Sequence, residues 1–375
     1  MIDEKRDLFY LILRVKALRT QTGDKDKMNG KLSFGCDYSK GAHPLIMERM
    51  VKTNLMETPG YGSDEITVSA RNRVRMACNC EAAAVWFLIG GTQTNAVMID
   101  ALLNNCQGVI SAETGHISVH EAGAIESRGH KVLSLPHSLG KLSPETVEAY
   151  LKDYYNDANH EHMVIPGMIY LSHPTEYGTL YSADELHAFR NICDKFGISL
   201  YVDGARLAYA LACPENDVTL PDLAALCDAF YIGGTKCGAL LGEAVVVPDP
   251  ERIPHLFTLI KQHGALLAKG RLLGIQFDEL FRDDLYLRIG EPAIKAADRI
   301  REALTEKGYR LHFGSPTNQI FCILENRLLK AIEEKVEYGF WEKYDDDHTV
   351  IRLATDWGTT EEDTTALINA LPDIL

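Results

Sequence analysis

A chain of 375 residues and 41.7 kDa has room for one large and one smaller domain, and 46% hydrophobic with 24% charged residues is the make-up of a globular protein. Its net charge of −15 argues against nucleic acid or an anionic membrane as a partner. No apolar run reaches the roughly 18 residues of a membrane span, so no transmembrane helix is expected. Nine cysteines, an odd number in scattered and often apolar settings, read as reduced thiols of a cytoplasmic protein, and Cys78-Asn-Cys80 lacks a second pair at metal-ligand spacing.

Residues 1–32 read as a peripheral extension outside the chemistry. The apolar run 8–13 is short and has no cleavage site after it, which argues against a signal peptide; Asn29-Gly30 reads as a turn and Met28 as an alternative start. Next come Phe34-Gly-Cys36-Asp37 and Pro59-Gly-Tyr61-Gly, then helical spacing over 67–80. A strand at 85–89 runs into Gly90-Gly91-Thr92-Gln-Thr-Asn and a helix at 96–103, a strand–glycine–helix arrangement that suits a phosphate. A strand at 108–112 ends at Glu113-Thr-Gly-His116, followed by His120 and Glu121. A strand at 131–135 and a helix at 143–155, with Ser143 as N-cap and Pro144 in its first turn, lead to a solvated loop at 156–162. A strand at 168–171 ends in Ser172-His-Pro-Thr-Glu176, and a helix spans 182–196.

The most informative stretch is 200–242. Leu200-Tyr-Val-Asp203-Gly-Ala-Arg206 and Phe230-Tyr-Ile-Gly-Gly-Thr-Lys236 each read as a buried strand that ends in a charged residue beside glycine. Ligands of open α/β sheets bind at such carboxyl ends. There an Asp can keep a heteroaromatic nitrogen protonated and a Lys can form a Schiff base with an aldehyde, the pair that pyridoxal phosphate requires. Alternation of strand and helix through 85–246 predicts a mostly parallel sheet with helices on both faces. Beyond 250, long helical stretches at 251–281 and 291–308, strands at 319–324 and 349–354, a helix at 327–335 and a terminal helix from 361 predict a small α+β domain. The expected division is therefore an extension at 1–32, a large domain at 33–250 and a small one at 251–375.

Asp203-Gly-Ala-Arg206, followed by Lys236 33 residues after the Asp, resembles the β-eliminating lyase group of fold-type I pyridoxal-phosphate enzymes, and within it the L-threonine aldolases. The similarity covers about residues 33 to 375. It implies Lys236 as the Schiff-base lysine, Asp203 on the pyridine nitrogen, Gly91 and Thr92 at the phosphate, and His116 stacked on the ring and able to take a proton from a substrate hydroxyl. It further implies Arg206 and Arg352 on the substrate carboxylate, with Cys36 where the family has a small polar residue, and Tyr61 on an active-site loop near a subunit boundary. Lys269 and Arg271 would reach the phosphate from a neighbouring subunit. The implied activity is cleavage of the Cα–Cβ bond of a β-hydroxy-α-amino acid, such as threonine to glycine and acetaldehyde, in a homodimer or homotetramer with shared sites. Two alternatives stay open: a β-eliminating amino-acid lyase, which would need a leaving group at Cβ, and a non-catalytic pyridoxal-phosphate-binding protein. The Ser172–Thr179 loop departs from the Asn-containing sequence usual in the family.

Overall fold

The computed structural model describes residues 30–374; the expectations for the apolar run at 8–13 and for Met28 and Asn29 lie outside them. Seven strands form the main sheet, in the order Ala84–Leu88, Glu243–Val247, Ala229–Gly233, Ser199–Gly204, Ile165–Ser172, Gln107–Ala112, Val132–Leu135. All neighbours are parallel except Glu243–Val247, which runs antiparallel to both strands it pairs with. Side-chain alternation divides the central strands between two cores. Ile169, Leu171, Leu200, Val202, Phe230 and Ile232 face one, and Met168, Tyr170, Tyr201, Ala229 and Tyr231 face the other. Each such buried aliphatic side chain contributes about 1.5–3 kcal/mol.

Local chemistry sets the flanking helices. Ser182 accepts from Glu185 N–H while Glu185 reaches back to Ser182, a reciprocal cap that starts helix Ala183–Phe196; Gly197, at φ +68°, ends it. Ser143 caps helix Pro144–Asn156 as its sequence predicts. The helix after Ala84–Leu88 starts at Gly91, five residues before the expected position. Two polar residues near its start are buried: Thr94 and Asn95 are fully enclosed, and Thr94 donates to Gly90 O.

The expected helix at 251–281 is two helices, Leu256–Gln262 and Arg271–Leu280. Gly264 breaks it at φ +68°, and at Gly270 a Cβ would meet Gly62 N at 2.6 Å. Residues beyond 250 also pack against the large sheet. Ile253, Leu256 and Ile260 complete one core of the large sheet, and Leu273, Phe277 and Tyr286 complete the other. The separate C-terminal cluster takes residues from Ala297 onward, together with Leu32 and Phe34 from the start of the described chain. It covers a four-stranded antiparallel sheet ordered Gly339–Lys343, His348–Ala354, Gln319–Glu325, Arg310–Leu311. Leu32–Ser33 pairs in parallel with Val336–Glu337. Gly339–Lys343 was not anticipated: a bulge between Phe340 and Glu342 breaks the alternation that marks a strand.

Candidate active site

At the carboxyl ends of the large sheet lies a cavity of about 320 Å³ lined by Asp203, Lys236, His116, Gly91, Thr92, Tyr231 and Glu243, among others. A second, of about 580 Å³, adjoins it toward the C-terminal sheet. Lys236, His116, Arg206, Glu176 and Tyr38 line both, and Arg352, His120, Tyr177 and Trp341 line the outer one.

Asp203 sits at the end of its strand and accepts four hydrogen bonds: from Tyr231 Oη and Ala205 N–H on Oδ1, and from Tyr170 Oη (2.6 Å) and Asn95 Nδ2 (3.0 Å) on Oδ2. Burial pushes this carboxyl up, but His116 and the bonds from Tyr170, Tyr231 and Asn95 hold it below its ordinary value, so it stays ionised. The tyrosines arise from register. Tyr231 is the cross-strand partner of Asp203, and Tyr170 shares a face with Ser172, its partner on the other side.

Lys236 lies on the loop between the strands Ala229–Gly233 and Glu243–Val247. Tyr209 Oη donates to its carbonyl at 2.6 Å, and Glu243 braces the loop by accepting from Gly234 N–H (2.9 Å) and Thr235 Oγ1 (2.8 Å). Burial, followed by the charge of Arg206, lowers the lysine's pKa against the pull of Asp37, Asp203 and Glu243. A less protonated amine is a better nucleophile. Burial in turn raises the Glu243 carboxyl to about 7, from 4.5. Over that window the folded chain keeps a proton that the unfolded chain has released, so this group makes stability fall as pH rises. Glu243→Gln should flatten that fall, as measured by urea denaturation on either side of the window.

His116 opens the short helix His116–Val119. Its Nδ1 lies 2.7 Å from Glu121 Oε1, and its backbone N–H donates to Glu176 Oε1 at 2.9 Å. Asn95 Nδ2 also donates to Glu121, joining the histidine's partner to Asp203. Glu176 is raised chiefly by burial.

Gly91 and Thr92 begin a twelve-residue helix whose N-cap, Gly90, offers no side-chain bond. The first amides are thus left to an anion in the cavity. Gly91 also leaves room for Tyr231, whose Oη would lie 3.1 Å from a Cβ there, a tight contact.

Arg206 lines both cavities. Its Nε and Nη2 grip Asp37 (2.6 and 3.0 Å), so that edge of the fork is closed to a substrate carboxylate. Asp37 is fully buried; burial would raise it, yet Arg206, Lys236 and Asn318 hold it well below the usual carboxylate range. Arg352 donates to Gln319 Oε1 and Gly35 O, and burial and the nearby Arg206 charge lower its pKa. An anion beside two crowded guanidinium groups relieves that repulsion. Thr114 Oγ1, Glu176 Oε2 and Arg352 Nε, all lining the outer cavity, are buried without a hydrogen-bond partner among the described residues.

The other expected residues lie apart. Cys36 is half-buried near Arg352 but lines neither cavity. Tyr61 is exposed, with Lys261 over its ring at 4.3 Å, and within one chain it does not reach the site. Arg271 donates to Asn54 O and Met56 O, and Lys269 is exposed.

The sequence model of the beta-eliminating lyase family matches residues 37–336. The chain belongs to that family. Among beta-eliminating lyase relatives, it is 30% identical over 310 residues to the low specificity L-threonine aldolase of Pseudomonas aeruginosa, covering 80% of this chain and 87% of that one. The structure superposes on the threonine aldolase of Leishmania major with a TM-score of 0.87 at 41% identity, over 90% of this chain and 98% of that one. The aspartate aminotransferase of Thermus thermophilus shares the fold, with a TM-score of 0.67 at 14% identity over 97% and 96% of the two chains. Enzymes of this family and fold are pyridoxal-phosphate-dependent. The beta-eliminating lyase site seen here fits that group: a depressed-pKa amine for the aldehyde, an ionised carboxylate for the ring nitrogen, and an uncapped helix terminus for the phosphate.

Proposed function

We propose that the chain is a pyridoxal-phosphate-dependent lyase that cleaves the Cα–Cβ bond of a β-hydroxy-α-amino acid, taking threonine to glycine and acetaldehyde. The observation that carries this reading is the lining of one cavity by Lys236, Asp203 and an uncapped helix terminus, with Arg352 in the cavity next door. Lys236 would hold the cofactor's aldehyde, Asp203 its ring nitrogen, and Gly91 and Thr92 its phosphate, with His116 against the ring. When bound, the cofactor accepts the electron pair left on Cα as a bond there breaks.

The chain's own residues do the rest. Asp203, kept ionised by four donors, holds a proton at the ring nitrogen without taking it. Lys236, with its lowered pKa, can return a proton to Cα. Arg352 fixes the substrate carboxylate, and Asp37 immobilises Arg206 beside it, so the carboxylate's direction decides which Cα bond is broken. Purified protein should release acetaldehyde from L-threonine; pyruvate and ammonia in its place would indicate β-elimination, and neither product would overturn the reading.

A homodimer or homotetramer with shared sites and a cytoplasmic setting belong to the same proposal. Leu45, Met47, Val51, Leu55 and Met56 expose apolar surface along and just after helix Pro44–Thr53. The nine cysteines are free thiols, most of them buried. Sedimentation as a monomer at assay concentration would overturn the assembly.

A further inference from the structure

We infer that His120 is the base that removes the proton from the substrate's β-hydroxyl. This rests on the aldolase reading above and assigns within it a role that the family resemblance implies for His116.

The two histidines sit at opposite ends of one helical turn, and His120 N–H donates to His116 O at 2.9 Å. Their rings lie 5.8 Å apart, but their surroundings differ. His116 is bound to Glu121 through Nδ1, linked through Asn95 to Asp203, and lines the inner cavity among the groups that fit the cofactor. His120 lines only the outer cavity, and its ring makes no hydrogen bond or ion pair with any described residue.

A substrate carboxylate at Arg352 and a Cα near Lys236 leave the Cβ substituents in the rest of the outer cavity. That space is bounded by His120, Val119, Thr114, Tyr177 and Trp341. The groups around His120 also suit a base. Burial and the positive charges of His116 and Arg352 lower its pKa, with Glu342 and Glu176 the carboxylates in the same cavity. The imidazole is therefore neutral at pH 7 and has a nitrogen free to accept a proton.

The step balances. The hydroxyl proton passes to His120, and the O–H pair becomes the second bond of the aldehyde C=O. The Cα–Cβ bond breaks and leaves its pair at Cα, and a proton returned to Cα gives glycine.

The test compares two reactions of the loaded enzyme. In His120→Asn and His120→Gln, aldehyde release from L-threonine should fall roughly 10²-fold or more. Exchange of the α-hydrogen of glycine with solvent should stay within about twofold, because glycine has no hydroxyl to deprotonate. A readout independent of turnover is carbethoxylation of the cofactor-free chain mapped by peptide mass, which should modify His120 as an accessible free-base imidazole. Equal losses in both reactions, unchanged cleavage, or an unreactive His120 would each overturn the assignment. Cleavage retained by the variants beside an active wild type defeats this inference alone, whereas a wild type that releases no aldehyde defeats the aldolase reading with it.

Discussion

Lys236→Ala is expected to lower turnover by roughly 10³-fold or more and to yield a protein that loses bound cofactor on desalting. The loop keeps its supports in this variant, because Tyr209 donates to the residue 236 carbonyl and Glu243 holds Gly234 and Thr235. Removing a desolvated amine does not lower stability, so the melting temperature should match or exceed that of the wild type. Cofactor content by absorbance after gel filtration, beside the thermal melt, separates loss of the anchor from loss of the fold. A variant that keeps both colour and activity would end the assignment of Lys236.

Asp37→Ala should produce the largest loss of stability. It strands the buried guanidinium of Arg206 and the amide of Asn318, which now donate to that carboxylate at 2.6–3.0 Å. Removing one partner of such a pair costs about 3–5 kcal/mol. Urea denaturation measures it, and KM for the amino acid should rise as Arg206 loses its fixed direction. The pH dependence has a definite sign. The carboxyl's native pKa lies below its ordinary 3.8. Its contribution is therefore complete above that value and is lost only as pH falls further toward the native one. The gap between wild type and Asp37→Asn should hold steady down to about pH 4 and close below it.

Strands buried on both faces were legible as continuous apolar runs, and the residues at their carboxyl ends, Asp203 and Lys236, line one cavity. The helix start at Gly91 was harder to see, since Thr92-Gln-Thr-Asn reads as loop until Thr94 and Asn95 find buried partners. Asp37 and Arg206 stand 169 positions apart, and no local pattern joins them. Glu243 was hidden as a lone acid at the head of the apolar strand Glu243–Val247. Tyr170 and Tyr231 could have been found by writing the parallel strands in register around Asp203, where they stand as neighbours. Tyr61 rests on resemblance alone, and within one chain it stands against Lys261 away from both cavities.

The Asp37 clamp has a mechanical meaning. Just ahead of it, Phe34 lies in the C-terminal core and accepts from Ala354 N–H, and Asn318, just before strand Gln319–Glu325 of the C-terminal sheet, holds Asp37 itself. Arg206 is rooted at the end of the large sheet. The ion pair is thus a tie rod between the two sheets, and any displacement of one against the other pulls on a guanidinium that lines both cavities.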